Sequence, residues 1–274
     1  MKSNRFTISL VAASLLALGS MSSAQAGAIH DASLFTDSTL AANDDGSTGS
    51  VNIGFSANFF GNTYTSLFVN NNGNVTFNQP LSTFTPFSLL STNIPMLAPY
   101  FADVDTRGVG SGLVQYGTDT LGGRAVFGVN WIDVGYFGSH VDKLNSFQLI
   151  MTDRSDTGAG NFDFQFNYDK ILWETGDASG GSNGFNGDCA RAGWSNGSNA
   201  SMELAGSAVC AAFLDANAGT GLIHNNLNST IDGQYNFSVR NGQIVNPVPE
   251  PSSLLLAALG LVGVGTIRRR RKLV

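Results

Sequence analysis

Phe162-Asp163-Phe164-Gln165-Phe166-Asn167-Tyr168-Asp169 alternates aromatic and polar side chains without a break. Successive side chains of a β-strand point to opposite faces, so this stretch places its rings on one side and its polar groups on the other. It predicts a half-buried antiparallel strand. Upstream, Phe147, Leu149 and Met151 alternate in the same way, and Asp156-Thr157-Gly158-Ala159-Gly160 supplies turn residues between the two runs. A hairpin follows.

Working outward, strand signals recur at Val51-Ile53-Phe55, Leu67 to Asn70, Val75 to Phe77, Leu113 to Tyr116, Ala125-Phe127-Val129-Trp131 and Tyr235-Phe237-Val239. Asn70-Asn71-Asn72-Gly73-Asn74 reads as a tight turn, because Asn and Gly tolerate positive φ. Ser207 to Ala216 is small and apolar, and its pattern fits a short helix or a buried strand equally. The expected fold class is all-β: an antiparallel, β-sandwich-like single domain of two packed sheets. About 220 residues suits one such domain. Charged residues are only 12% of the chain, but nineteen Phe and three Trp supply a core that a disordered chain would lack.

The two ends read differently. Lys2 and Arg5 precede an apolar run from Phe6 to Leu18, and Ala24-Gln25-Ala26 follows as a small-residue cleavage site, so residues 1–26 are expected to be a secretory signal peptide. At the other end Pro249-Glu250-Pro251 leads into the uncharged stretch Ser252 to Ile267 and then Arg268, Arg269, Arg270, Arg271 and Lys272. Those sixteen residues would make a helix about 24 Å long, near the ~30 Å of a hydrocarbon core, and the basic cluster would stay cytoplasmic as a stop-transfer element. The chain is thus expected to divide into 1–26, a β domain at 27–245, and a tail at 246–274.

With both ends set aside, seven Lys and Arg face nineteen Asp and Glu, a net charge near −12 for the body. That balance disfavours nucleic acid or an anionic lipid surface as a partner. Cys189 and Cys210 are the only cysteines, and export places them where a disulfide is permitted. The pair is expected to be joined, since no Cys-x-x-Cys or neighbouring His suggests metal or redox use.

The order of tripeptide, apolar helix and basic end resembles the PEP-CTERM sorting signal. The resemblance implies a Gram-negative bacterium, an exosortase-type enzyme that cuts near Pro249-Glu250-Pro251, a transient stay in the inner membrane, and delivery to the cell surface or extracellular polysaccharide. A second resemblance lies in the body. Leu67-Phe68-Val69-Asn70-Asn71-Asn72-Gly73-Asn74-Val75-Thr76-Phe77, then Ala98-Pro99-Tyr100-Phe101-Ala102-Asp103-Val104-Asp105-Thr106-Arg107, and in order Asn130 to Phe137, Phe147 to Thr152 and Phe162 to Trp173, are similar to the nidogen-type (NIDO) extracellular domain. What this implies is a place in extracellular matrix or adhesion, with no agreed catalytic residues.

Several side chains are candidates for a site. Asp103 and Asp105, two residues apart on an expected strand, project to one face and suggest a Ca²⁺ site, with a structural pair to Arg107 as the alternative. Asn43-Asp44-Asp45-Gly46 and Asp153 to Gly158 are rich in oxygen ligands but complete no calcium loop; from Asp153, position twelve is Phe164 where an EF-hand needs Glu. Both read first as turns. Gly180 to Gly184 and Gly193 to Gly197 each match Gly-x-Ser-x-Gly, with Asp215 and His224 beyond, but they are expected in loops rather than at a strand-to-helix elbow. Asp103 with Asp133 is the pair a glycosidase would need, though no spacing singles out an acid and a base. His30, His140 and His224 show no ligand spacing. Trp194 and Asn196, with Asn183 and Asn199, suggest a glycan platform, the alternative being a tryptophan packed beside the Cys189 to Cys210 loop.

The sequence therefore reads as a non-enzymatic exported surface or matrix protein acting in adhesion or association with exopolysaccharide and biofilm. An exported polysaccharide hydrolase and a calcium-stabilised coat protein are the alternatives.

Overall fold

The structure is a computed structural model that describes residues 27–245; the signal peptide, the Pro249-Glu250-Pro251 motif, the apolar tail and the basic end lie outside the described residues. The strands are β1 (Ser38–Thr39), β2 (Val51–Phe59), β3 (Asn62–Asn70), β4 (Asn74–Thr76), β5 (Pro95–Phe101), β6 (Val104–Asp105) and β7 (Val114–Leu121). There follow β8 (Arg124–Tyr136), β9 (His140–Asp153), β10 (Phe162–Lys170), β11 (Arg191–Asn196), β12 (Ser201–Glu203), β13 (Gln234–Arg240) and β14 (Gln243–Val245). They form two antiparallel sheets. One is eight-stranded, ordered β1-β7-β8-β9-β10-β13-β14 with β6 added to β8, and the other is six-stranded, ordered β12-β11-β5-β4-β3-β2.

The alternation that predicts β10 sets the core. Phe162, Phe164, Phe166 and Tyr168 are buried, and their cross-strand neighbours Met151 and Leu149 on β9 and Phe237 on β13 extend the same inner face. Phe164 stacks on Phe237 with ring centroids 4.6 Å apart, a contact worth about 0.5–1.5 kcal/mol beyond area burial. Ile53, Leu67, Val69, Val75 and Leu97 of the second sheet close the same core. The Tyr168 hydroxyl bridges the sheets by donating to the Pro99 carbonyl, and that of Tyr100 ties β5 to the segment after β10 by donating to the Trp173 carbonyl, each at 2.6 Å.

Both outer faces are also covered near the middle. The segment before β1 packs Phe35 against Val126 and Ile150, and Gly128 makes this close approach because a Cβ there would lie 2.3 Å from the Phe35 ring. Asn130 and Gln148, on the same face, bond the backbone of Ala32, Leu34 and His30. On the six-stranded sheet, Leu81, Leu89 and Phe87 from the long connection into β5 cover Met96, Ala98 and Phe101.

Three expectations need correction. Ser207 to Ala216 is neither helix nor strand but a series of turns, with Ala208 and Ala211 at positive φ, a backbone that ends both regular structures. The segment around Ser195 is strand β11 rather than a loop. Asp103 precedes the two-residue strand β6 instead of sharing a longer strand with Asp105, so the inference that their side chains share a face has no basis.

Candidate functional site

The buried turn Asn70 to Asn74 joins β3 to β4, and its side chains work as a hydrogen-bonding hub. Asn71 donates to the carbonyls of Asp44 and Val104 at 2.5 and 2.6 Å. Asn72 donates to the Asp45 carboxylate at 2.8 Å and accepts from the Val104 amide at 2.9 Å. The Asn71 carbonyl in turn takes the indole N–H of Trp131 at 3.0 Å, tying the hub to the core. Gly73 closes the turn at φ 69°, and a Cβ there would lie 1.8 Å from the Tyr100 carbonyl, so only glycine fits.

This hub brings the loop Asn43 to Gly46 against the start of β6, although the two are about sixty residues apart in sequence. Carboxylate oxygens of Asp44, Asp45 and Asp103 come within 4.8 Å of one another. Asp103 is 0% exposed, and no protein group donates to either of its oxygens. Its carboxylate lies against Gly176, where a Cβ would meet Oδ2 at 2.3 Å. Burial, followed by the charges of Asp44, Asp45 and Asp105, pushes its pKa up to about 7, against the opposing pull of Arg107. Asp44 is raised to about 6, by burial first and then by Asp105 and Asp45.

Asp105 takes the other course. Although burial acts to raise it, its carboxylate accepts from Arg107 Nε at 2.9 Å and from Arg107 Nη2 and the Ser139 amide at 2.7 Å, and the net shift is downward. The two aspartates are thus separated in role: Asp105 is half of a structural ion pair, while Asp103 faces two acids that the sequence places elsewhere.

The other candidate residues are held by local structure. Cys189 and Cys210 form a disulfide, with Cα atoms 5.4 Å apart. Trp194 is 8% exposed, stacked on Phe60 with centroids 5.4 Å apart and meeting Phe59 edge-on, so its ring packs into the protein rather than lying open to a sugar. Asn196 caps the turn after β11, its Oδ1 accepting from the amides of Ser198, Asn199 and Ala200 at 2.9 to 3.1 Å. Ser195 is buried and accepts from the Gly197 amide at 3.0 Å, with no strand-to-helix elbow beneath it. Asp133 pairs with Lys170 and accepts from Ser146. Sequence reasoning missed that Asp44 and Asp45 complete a group with Asp103; the asparagine-rich segment Asn70 to Asn74 that bridges them is legible in the sequence only as a turn.

Residues 22–212 match the description NIDO-related, well over half of the chain. The chain belongs to the NIDO-related family. Alpha-tectorin of Mus musculus is 35% identical to this chain over 178 residues, covering 56% of this chain and 8% of its own length. Alpha-tectorin of Gallus gallus is 34% identical over 180 residues, with the same coverage, and nidogen of Drosophila melanogaster 30% identical over 117 residues, covering 34% of this chain. The chain spans about 8% of the length of these relatives. Residues 247–272 match the PEP-CTERM protein-sorting motif, which implies processing by an exosortase-type system. No solved structure matches the chain. The NIDO-related domain and the sorting motif together make this an exported protein of the cell surface.

Proposed function

We propose that the NIDO-related domain is a non-enzymatic binding module that, once sorted, associates with exopolysaccharide or other surface components in adhesion or biofilm. The observation that carries this reading is the junction itself: the last strand ends at Val245 and the sorting motif begins at residue 247, so an extracellular-type domain is coupled directly to a surface-delivery signal. The uses of the candidate catalytic groups support it. Ser195 is buried on a strand, Asp133 is paired with Lys170, and Asp105 is paired with Arg107. Weak single contacts suffice for such a role, because many copies on one surface gain ~10²- to 10⁴-fold in avidity when geometry permits.

The test is incubation of the surface-released protein with the producing cell's own polysaccharide, scoring both retention and release of reducing ends. Retention without release is expected. Release that disappears in Asp103→Asn, Asp133→Asn or Ser195→Ala would overturn the reading in favour of a hydrolase.

A further inference from the structure

We propose that Asp44, Asp45 and Asp103 bind a Ca²⁺ ion that fastens the Asn43 to Gly46 loop to the start of β6. The inference is independent of the polysaccharide reading and differs from the pairing of Asp103 with Asp105 that the sequence suggests. Three acids gathered together are not by themselves a site. What points to a ligand is Asp103: it is fully buried, its carboxylate lies in the group, and neither oxygen receives a hydrogen bond from the protein. Oδ1 of Asp44 is likewise buried without a donor, while its Oδ2 is engaged by Arg107 at 2.8 Å. A buried carboxylate with no partner is among the most costly arrangements a fold can hold, and a cation is the partner that satisfies several such oxygens at once.

The donors select the kind of cation. Mg²⁺ demands a near-ideal octahedral shell at ~2.0–2.1 Å, whereas Ca²⁺ accepts an irregular one at ~2.3–2.6 Å. The donors are all hard oxygens, and the pair of adjacent acids on a loop can adjust to the irregular shell that Ca²⁺ accepts. Arg107, the one cation among these contacts, is already committed to Asp44 Oδ2 and Asp105, so it leaves Asp103 to be neutralised by something else.

The preparation to test is the full-length protein in detergent, stripped with chelator and then titrated with Ca²⁺ or Mg²⁺ by calorimetry and thermal melting. An affinity of ~10⁻⁴–10⁻³ M is expected, as for other extracellular modules. At tenfold excess over Kd, Ca²⁺ should raise Tm by roughly 3–6 °C, with Mg²⁺ weaker. Asp103→Asn should abolish the shift while melting cooperatively in chelator, Asp44→Asn should weaken binding at least tenfold, and Asp119→Asn, on an exposed hairpin, should respond like the parent protein. Absence of heat and of any melting shift at ~10 mM Ca²⁺, or a shift that survives in Asp103→Asn, would overturn the proposal.

Discussion

Two places in the described residues gather three metal-ligand side chains: Asp44, Asp45 and Asp103 at the asparagine hub, and Glu174, Cys189 and Cys210 at the disulfide corner. By residue type the disulfide corner is the richer site, since thiolates and a carboxylate together suit zinc. Its atoms are spent. The thiols are joined to one another, and both oxygens of Glu174 accept from the Ala211 amide at 2.7 and 2.8 Å, next to the cysteine they help to place. At the hub the reverse holds, because the deepest carboxylate accepts nothing. Proximity of ligand-type residues is therefore a weak sign of a site, and an unmet hydrogen-bonding requirement at that point is a strong one.

The comparison is open to direct attack, most forcefully at the corner. Replacing both cysteines with serine removes a cross-link between residues 21 apart, and should cost about 3 kcal/mol in the chain-entropy model, or roughly 6–12 °C in Tm. The loss should be the same with Ca²⁺ or chelator present. A loss that Ca²⁺ repairs would mean that the two places are coupled, and the contrast between them would fail.

The two buried carboxylates should also respond with opposite sign. Glu174→Ala strips the Ala211 amide of its acceptor and should destabilise by about 2–3 kcal/mol, with Glu174→Gln recovering part of that. Asp103→Asn, measured in chelator near pH 7, removes a buried charge that has no donor and should stabilise by about 1–3 kcal/mol. Denaturant midpoints at constant slope give both values. Destabilisation by Asp103→Asn in chelator would show that its carboxylate has a partner within the fold.

Part of the sandwich is legible in the chain because the outward positions of its strands are polar or partly exposed. β10 and β13 alternate for that reason, β9 is buried from Asn145 to Met151 yet sets Gln148 between Phe147 and Leu149, and the hairpin at Asp156 to Gly160 lies where the turn residues predict. β5 was not legible as a strand. All seven of its residues are buried, so alternation vanishes, and Pro95 and Pro99 argue against a central strand. The register between β5 and β11 shifts across Pro99, between the Phe101–Arg191 and Ala98–Gly193 pairs, and this irregularity accommodates a residue without an N–H. The hub was hidden differently: Asp44, Asp45 and Asp103 were each visible as oxygen ligands, but only the buried side chains of Asn71 and Asn72 bring them together, and a run of asparagines says turn long before it says scaffold.

The smallest expected effect concerns Asp133, the acid that a hydrolase reading would couple to Asp103. Its side chain is 49% exposed and paired with Lys170, whose hydrogen bond holds the carboxyl below its ordinary range despite some burial. A carboxylate with a depressed folded-state pKa adds stability above its unfolded value near 4, and that stability is lost as pH falls through the folded value. Solvent limits the gain of such a pair to about 0.2–1 kcal/mol. Lys170→Met should therefore cost no more than that at pH 7, and the gap to the parent protein should close on acidification toward about pH 2.5. A cost above ~2 kcal/mol, or a gap that persists in acid, would mean that Lys170 supports the fold by packing rather than charge. If the variant instead gained or lost release of sugar ends with its stability unmoved, Asp133 would be acting on a substrate, and its contrast with the buried, unpaired Asp103 would be one of catalytic roles rather than of structural ones.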